Sequence, residues 1–165
     1  MISVEELIRK FDLQQHPEGG YFTESYRSSE TISREALPSR YKGDRRFSTS
    51  IYFLLPSGAA SRLHRIASDE VWHFYLGGPL ELLQLSPDGR IEKVVLGQDL
   101  KSGQKVQHVV PARYWFGARP ADGSAYSFVG CTVAPGFDFA DFELADPADL
   151  CRNFPALKKD ILQFC

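Results

Sequence analysis

The sequence predicts an all-β sandwich or barrel, and three observations carry that reading. Between Tyr21 and Ala134 the chain is a succession of short segments rich in aromatic and β-branched residues, the types that suit a pleated, half-buried surface. Turn signals separate them at Pro56-Ser57-Gly58, Gly77-Gly78-Pro79, Pro87-Asp88-Gly89, Pro111 and Asp122-Gly123, a spacing expected of sandwiches and barrels. Helical periodicity is confined to the two ends.

At the front, Ser3 is placed to cap a helix, with Glu6 completing a capping box. Val4, Leu7, Ile8 and Phe11 recur on one helical face. His16-Pro17-Glu18-Gly19-Gly20 then breaks the pattern. No helical pattern follows it, so a turn feeding a strand is expected there rather than a phosphate loop, with His16 structural. Strands are expected at 21–27, 47–55, 59–66, 70–76, 80–85, 91–96, 105–110, 114–118 and 125–134, with 28–46 a long irregular loop. Asp146 is expected to cap a helix with Pro147 at its first position. Pro155 is expected to open another, with Leu157, Ile161 and Leu162 on one face. No repeat or linker divides the 165 residues, so a single domain spanning 1–165 is expected.

Composition narrows the function. Hydrophobic residues make up 43% and charged residues 24%, with a net charge of −2. That balance offers no electrostatic case for nucleic acid or an anionic membrane surface. The basic cluster Arg40, Lys42, Arg45, Arg46 has Asp44 inside it and reads as a solvated loop. Cys131, Cys151 and Cys165 are odd in number and far apart, which is no disulfide framework and fits a reducing, cytoplasmic setting. The acidic N-terminus lacks the apolar stretch of a secretory signal, and no apolar run approaches a membrane span.

The chemistry-bearing residues cluster between Gly58 and Gly77, which flank His64 and Glu70. Side chains alternate along a strand, so Glu70, Trp72 and Phe74 share one face while His73 lies opposite with Val71 and Tyr75. A metal triad of His64, Glu70 and His73 is therefore not expected unless a β-bulge intervenes. His64 and Glu70 are expected to hydrogen-bond. A carboxylate on one ring nitrogen fixes the tautomer and raises the basicity of the other, which suits proton transfer near neutral pH. This pairing resembles that of the metal-free sugar-nucleotide epimerases of jelly-roll architecture, and the resemblance implies a tyrosine as the accompanying acid; Tyr26, Tyr52 and Tyr114 are the candidates, with Tyr26 preferred. Glu24, Trp72, Gln107 and Phe116 are candidate ligand-binding residues on predicted strands, Trp72 as a stacking platform. Plain core packing is the competing reading for any one aromatic here. His108 reads as a packed surface or interface histidine, and Cys131 as a buried, inert thiol.

Gly58 to Gly77 resembles the first signature of the cupin superfamily: glycine, five residues, His-x-His, three or four residues, Glu, six residues, glycine. Ile66 stands where the second histidine falls. In the second signature Gly103 and Pro111 fit loosely, Arg113 replaces a turn glycine and Phe116 takes the histidine position. Further strings at His16–Phe22, Ser50–Leu55, Asp69–Tyr75 and Gly130–Phe139 make nearly the whole chain similar to one cupin family catalogued only as a domain of unknown function. The resemblance implies a double-stranded β-helix (cupin jelly roll) with short N-terminal and C-terminal helices, paired as a homodimer. It implies no particular reaction, because one fold hosts many.

Metal-binding cupins use three histidines and a glutamate, of which only His64 and Glu70 remain here. Two ligands are fewer than catalytic sites generally supply, so no metal or other cofactor is expected; a divalent ion, if held, would rest on His64 and Glu70. Three functions follow as expectations. The first is a metal-free epimerase or isomerase acting on a polar metabolite such as a sugar nucleotide, by analogy with jelly-roll sugar-nucleotide epimerases. The second is a non-catalytic binding or sensor module, and the third a metal-dependent oxygenase or isomerase with a reduced ligand set.

Overall fold

A computed structural model describes residues 2–165. Helix α1 (Val4–Phe11) leads into β1 (Gln14–Gln15) and β2 (Tyr21–Arg27). A short ribbon of β3 (Thr31–Ile32) and β4 (Arg45–Arg46) precedes β5 (Thr49–Pro56), β6 (Ser61–Arg65), β7 (Asp69–Gly77), β8 (Leu80–Leu85) and β9 (Ile91–Leu96). The remaining elements are β10 (Gln107–Val110), β11 (Trp115–Pro120), β12 (Tyr126–Ala134), β13 (Glu143–Leu144), α2 (Pro147–Asn153) and α3 (Lys158–Ile161). A six-stranded sheet ordered β1-β2-β5-β12-β7-β10 faces a five-stranded sheet ordered β13-β6-β11-β8-β9. Every named pairing is antiparallel, and the arrangement is the all-β jelly roll with terminal helices.

Alternation explains the runs that are apolar on both faces. On β5, Phe53 and Leu55 point between the sheets with Trp72, Leu82, Phe116 and Val129. Leu54 points out and is covered by Leu7 of α1 together with Phe128. The second sheet does the same: Leu82 faces inward, while Leu63 and Leu83 point out beneath Leu150, Ile161 and Phe164 of the C-terminal segment. Both outer faces therefore need a helical cover, and burying one leucine such as Leu7 contributes about 1.5–3 kcal/mol. The capping box of Ser3 and Glu6 forms, as does the Asp146 cap with Pro147.

Some expectations need correction. Segment 28–46 is not wholly irregular, because β3 and β4 pair within it and Leu37 and Tyr41 bury against Ala67. Arg45 is not solvated. It is buried and donates from Nε and Nη2 to both carboxylate oxygens of Asp141 at 2.7 and 2.6 Å. After Pro155 the backbone forms a 3-10 turn, then α3, then a second 3-10 turn. The change of pitch leaves Leu162 exposed and turns Phe164 inward.

Candidate active site

The loop that the paired glycines interrupt supplies the first functional group. Gly19 adopts φ +116°, and a Cβ there would sit 2.1 Å from the Ala60 carbonyl oxygen. Only glycine lets the loop lie this close to the start of β6. The Arg62 amide donates to the Glu18 carbonyl at 2.9 Å, and the Arg62 guanidinium to Pro17 O at 2.7 Å. So held, Glu18 turns inward and its Oε1 accepts from the Ser61 hydroxyl at 2.6 Å.

Glu18, not Glu70, is the carboxyl bonded to His64. Its Oε2 lies 3.0 Å from His64 Nε2. His64 Nδ1 lies 2.7 Å from the Arg62 carbonyl oxygen. A carbonyl only accepts, so Nδ1 carries a proton, and a neutral ring then presents a lone pair at Nε2. The proton between the ring and Glu18 belongs to the carboxyl in that state. Burial pushes Glu18 up to about 7 and His64 below its usual range, and both shifts favour this uncharged pair. The expectation of a His64–Glu70 hydrogen bond fails because the loop carrying Glu18, distant in strand pattern, reaches the ring first.

Glu70 lies in the same cavity wall and senses His64 and Glu18 through space, with the Cys131 thiol donating to its carboxylate. Burial raises it to about 7 as well. Cys131 is buried and its thiol is raised well above the usual range, so it is not a nucleophile. His16, expected to be structural only, also faces the cavity. Its Nδ1 accepts the Glu18 amide at 3.2 Å, which leaves the proton on Nε2.

These groups close the polar end of a cavity of about 240 Å³. Phe22, Ile51, Phe53, Ile66 and Val133 form its apolar body. The exposed Glu24, Arg27, Asp138 and Phe139 mark its mouth, where Arg27 donates to both Glu24 oxygens at 2.8 and 2.6 Å.

Of the sequence candidates, His64, Glu70 and Glu24 line this cavity, whereas Tyr26, Trp72, Gln107 and Phe116 do not. The register of β2 on β5 shifts between Glu24 and Tyr26, so the bulge turns Tyr26 outward and leaves it 54% exposed. Gln107 is exposed on the edge strand β10. Trp72 has the parity of Glu70 but lies deeper, edge-on to Phe53 and Phe116. Phe116 packs its ring 4.1 Å from that of His64, as a backing rather than a ligand contact. His73 lies on the other face as alternation requires, bonded to Thr132 at 3.1 Å. His108 is bonded to Gln84 at 3.0 Å. Sequence reasoning missed Glu18, Arg27 and the Phe137–Phe139 segment. For Glu18 a signal exists: a single acidic side chain set between a proline and paired glycines.

The four-ligand metal shell of the fold is a poor fit to these residues. Ile66 and Phe116 have no lone pair, and both ring nitrogens of His64 are engaged by Arg62 and Glu18. Among the described residues no group of three or more His, Cys, Asp or Glu side chains is placed to hold an ion.

Jelly-roll topology with an inward histidine and carboxylates defines a cupin. Residues 5–145 match the family described as Cupin superfamily (DUF985), and the chain belongs to that family. It is 30% identical to an uncharacterized protein of Saccharomyces cerevisiae, over 95% of this chain and 82% of that one. Among solved structures it is similar to a protein from Shewanella oneidensis (36% identity, 99% and 98% of the two chains, TM-score 0.89). A hypothetical protein from Leishmania major is comparable (34% identity, 99% of each chain, TM-score 0.88). Oxalate decarboxylase shares the fold at 16% identity, with a TM-score of 0.54 over 93% of this chain and 38% of that one.

Proposed function

We propose that this cupin binds a compact polar metabolite in the jelly-roll cavity and moves a proton on it, as an epimerase or isomerase does, with Glu70 as the group that carries the proton. One observation supports this most directly: Glu70 faces the cavity, has only a weak thiol donor as partner, and is raised to about 7. A group poised near the working pH is suited to act as base and then as acid. Glu70 can take a proton from one position of the ligand and return it to another, which balances without a co-reactant. His64 has no free ring nitrogen to serve as the base expected of it. With Glu18 it forms an uncharged pair beside Glu70 whose shared proton is already committed between the two, and His16, which lines the same cavity and keeps its proton on Nε2, is the donor left to hydrogen-bond a developing oxyanion.

The cavity argues for size. At about 240 Å³ it falls below the roughly 300–1,000 Å³ that encloses drug-sized ligands. A sugar or short hydroxy acid fits inside; the nucleotide of a sugar nucleotide would lie beyond the mouth. A thermal-shift screen of compact sugars, hydroxy acids and keto acids, followed by NMR of each hit in D₂O, tests the proposal. Solvent deuterium is expected to enter a carbon position of the ligand with wild-type protein and not with Glu70→Gln. Binding without exchange would support the non-catalytic module, a reading favoured by the largely apolar lining and by the lack of a tyrosine among the lining residues.

The proposal includes a homodimer in a reducing, cytoplasmic setting. Tyr75, Leu76, Val106 and Val109 are exposed apolar residues on or beside β7 and β10, at one edge of the six-stranded sheet. Covering such an edge with a second copy satisfies its free backbone groups and removes an aggregation hazard. Sedimentation at micromolar concentration is expected to read twice the 18.6 kDa chain mass; a single-chain mass would refute the pairing. The three cysteines are free thiols, which accords with a reducing compartment. Among the described residues no helix is long and apolar enough to cross a membrane.

A further inference from the structure

We infer that this chain carries a second, separate site, an oxyanion site for a phosphate-bearing ligand, in the cleft bounded by Arg40, Lys42 and Arg113. The cleft has a volume of about 390 Å³ and lies behind the candidate active site, with Ile66 in the wall of both. Phe142 separates them: it lines the cleft and its ring lies 5.4 Å from that of His64.

The charge balance of the cleft is lopsided. Arg40, Lys42, Arg65, Arg113, Asp141 and Glu143 are its charged residues. Asp141 is already held by two guanidinium nitrogens of buried Arg45. Glu143 is held by Arg65 at 2.7 and 3.0 Å. Arg40, Lys42 and Arg113 are left with no carboxylate within 4.0 Å among the described residues. Arg40 is oriented through Nε, which donates to the Ala67 carbonyl at 2.7 Å, so its terminal nitrogens remain for a ligand. Three uncompensated cations on one concave surface suit a dianion better than a monoanion, and guanidinium forks match phosphate oxygens.

Backbone strain is the independent observation. Arg113 adopts φ +67°, the left-handed region that a Cβ disfavours and glycine tolerates. It sits in the turn after Pro111, where the second cupin signature has glycine. The turn is held by the Arg113 amide donating to Ile66 O at 2.9 Å and the Ala112 amide to Asp69 Oδ1 at 2.7 Å. An arginine kept where glycine would relieve strain, and lining a cleft with two other unpaired cations, is explained by a ligand that uses its guanidinium.

Titration of the full-length protein with inorganic phosphate at low ionic strength, read by calorimetry and by amide NMR shifts, tests the site. Saturable binding is expected, with shifts centred on Arg40, Lys42 and Arg113. Arg113→Gly is expected to keep or raise the melting temperature while weakening phosphate about tenfold or more, the loss of one charge-assisted contact. Lys42→Ala, at an exposed position, is expected to weaken it similarly without touching the fold. Arg90→Ala, in the turn between β8 and β9, outside the cleft lining and paired with Asp88, is expected to bind as wild type. Failure to saturate by about 20 mM phosphate, which exceeds any affinity that three such contacts would leave, would overturn the site. So would wild-type affinity in both Arg113→Gly and Lys42→Ala, or an equal loss in Arg90→Ala. Tighter binding of succinate than of phosphate would overturn the assignment to phosphate.

Discussion

Replacing Glu70 with glutamine is expected to raise the melting temperature by about 6–12 °C at about pH 8 and to leave it almost unchanged near pH 4.5. The folded chain raises this carboxyl from 4.5 to about 7 by burying it. A group whose folded pKa lies above its unfolded value contributes most below the unfolded value and loses that contribution as pH rises through the folded one. The wild-type penalty therefore grows between 4.5 and about 7 and is constant above, reaching about 3 kcal/mol. Glutamine keeps the shape and cannot ionise. His64 and His16 shift downward and so have the opposite sign, losing stability as pH falls, but they are present in both proteins and largely cancel in the comparison. Melting curves of the two proteins across pH measure the difference directly. A gap that did not change with pH would mean that Glu70 is not held protonated. A carboxyl kept at such a cost, where glutamine would fit, is the stability side of the proton-transfer proposal: the same substitution that stabilises the fold should abolish deuterium exchange.

Gly19→Ala is expected to lower stability by about 3 kcal/mol or more, because it combines a disfavoured backbone with a backbone clash that cannot relax locally. The new methyl would meet the Ala60 carbonyl oxygen at 2.1 Å. Escape requires the loop to lift from β6, which removes Glu18 from Ser61 and His64 together. The NMR signals of the His64 ring nitrogens should change with it, as Nε2 loses its donor. Gly58→Ala is the matched control. Gly58 also has positive φ, at +77°, but a Cβ there meets nothing within 4 Å, so only about 1–2 kcal/mol of backbone strain is expected. Equal losses in the two variants would mean that the loop is not clamped against β6.

Much of the fold was legible because it rests on local rules. Strands β2 and β9 fall where their aromatic and β-branched runs place them, and β8 where a leucine-rich run lies between turn signals, and the caps at Ser3 and Asp146 form from their own side chains. Alternation separated His73 from Glu70 because β7 is regular between them. The same rule failed at Tyr26, where an unannounced bulge changes the parity. Parity also could not tell depth: Trp72 and Glu70 share a face, yet only one reaches the cavity.

What the sequence determined by itself is the alternation of strand and turn, the inward direction of His64 and Glu70, and the loss of two ligands at Ile66 and Phe116. Each follows from neighbours in the chain and the two-residue repeat of a strand. Which carboxyl meets His64, the burial of Arg45 and the gathering of Arg113, Arg40 and Lys42 around one cleft are set in three dimensions alone. Those facts depend on loops that pack against distant strands, where side-chain distances in space bear no relation to separation along the chain.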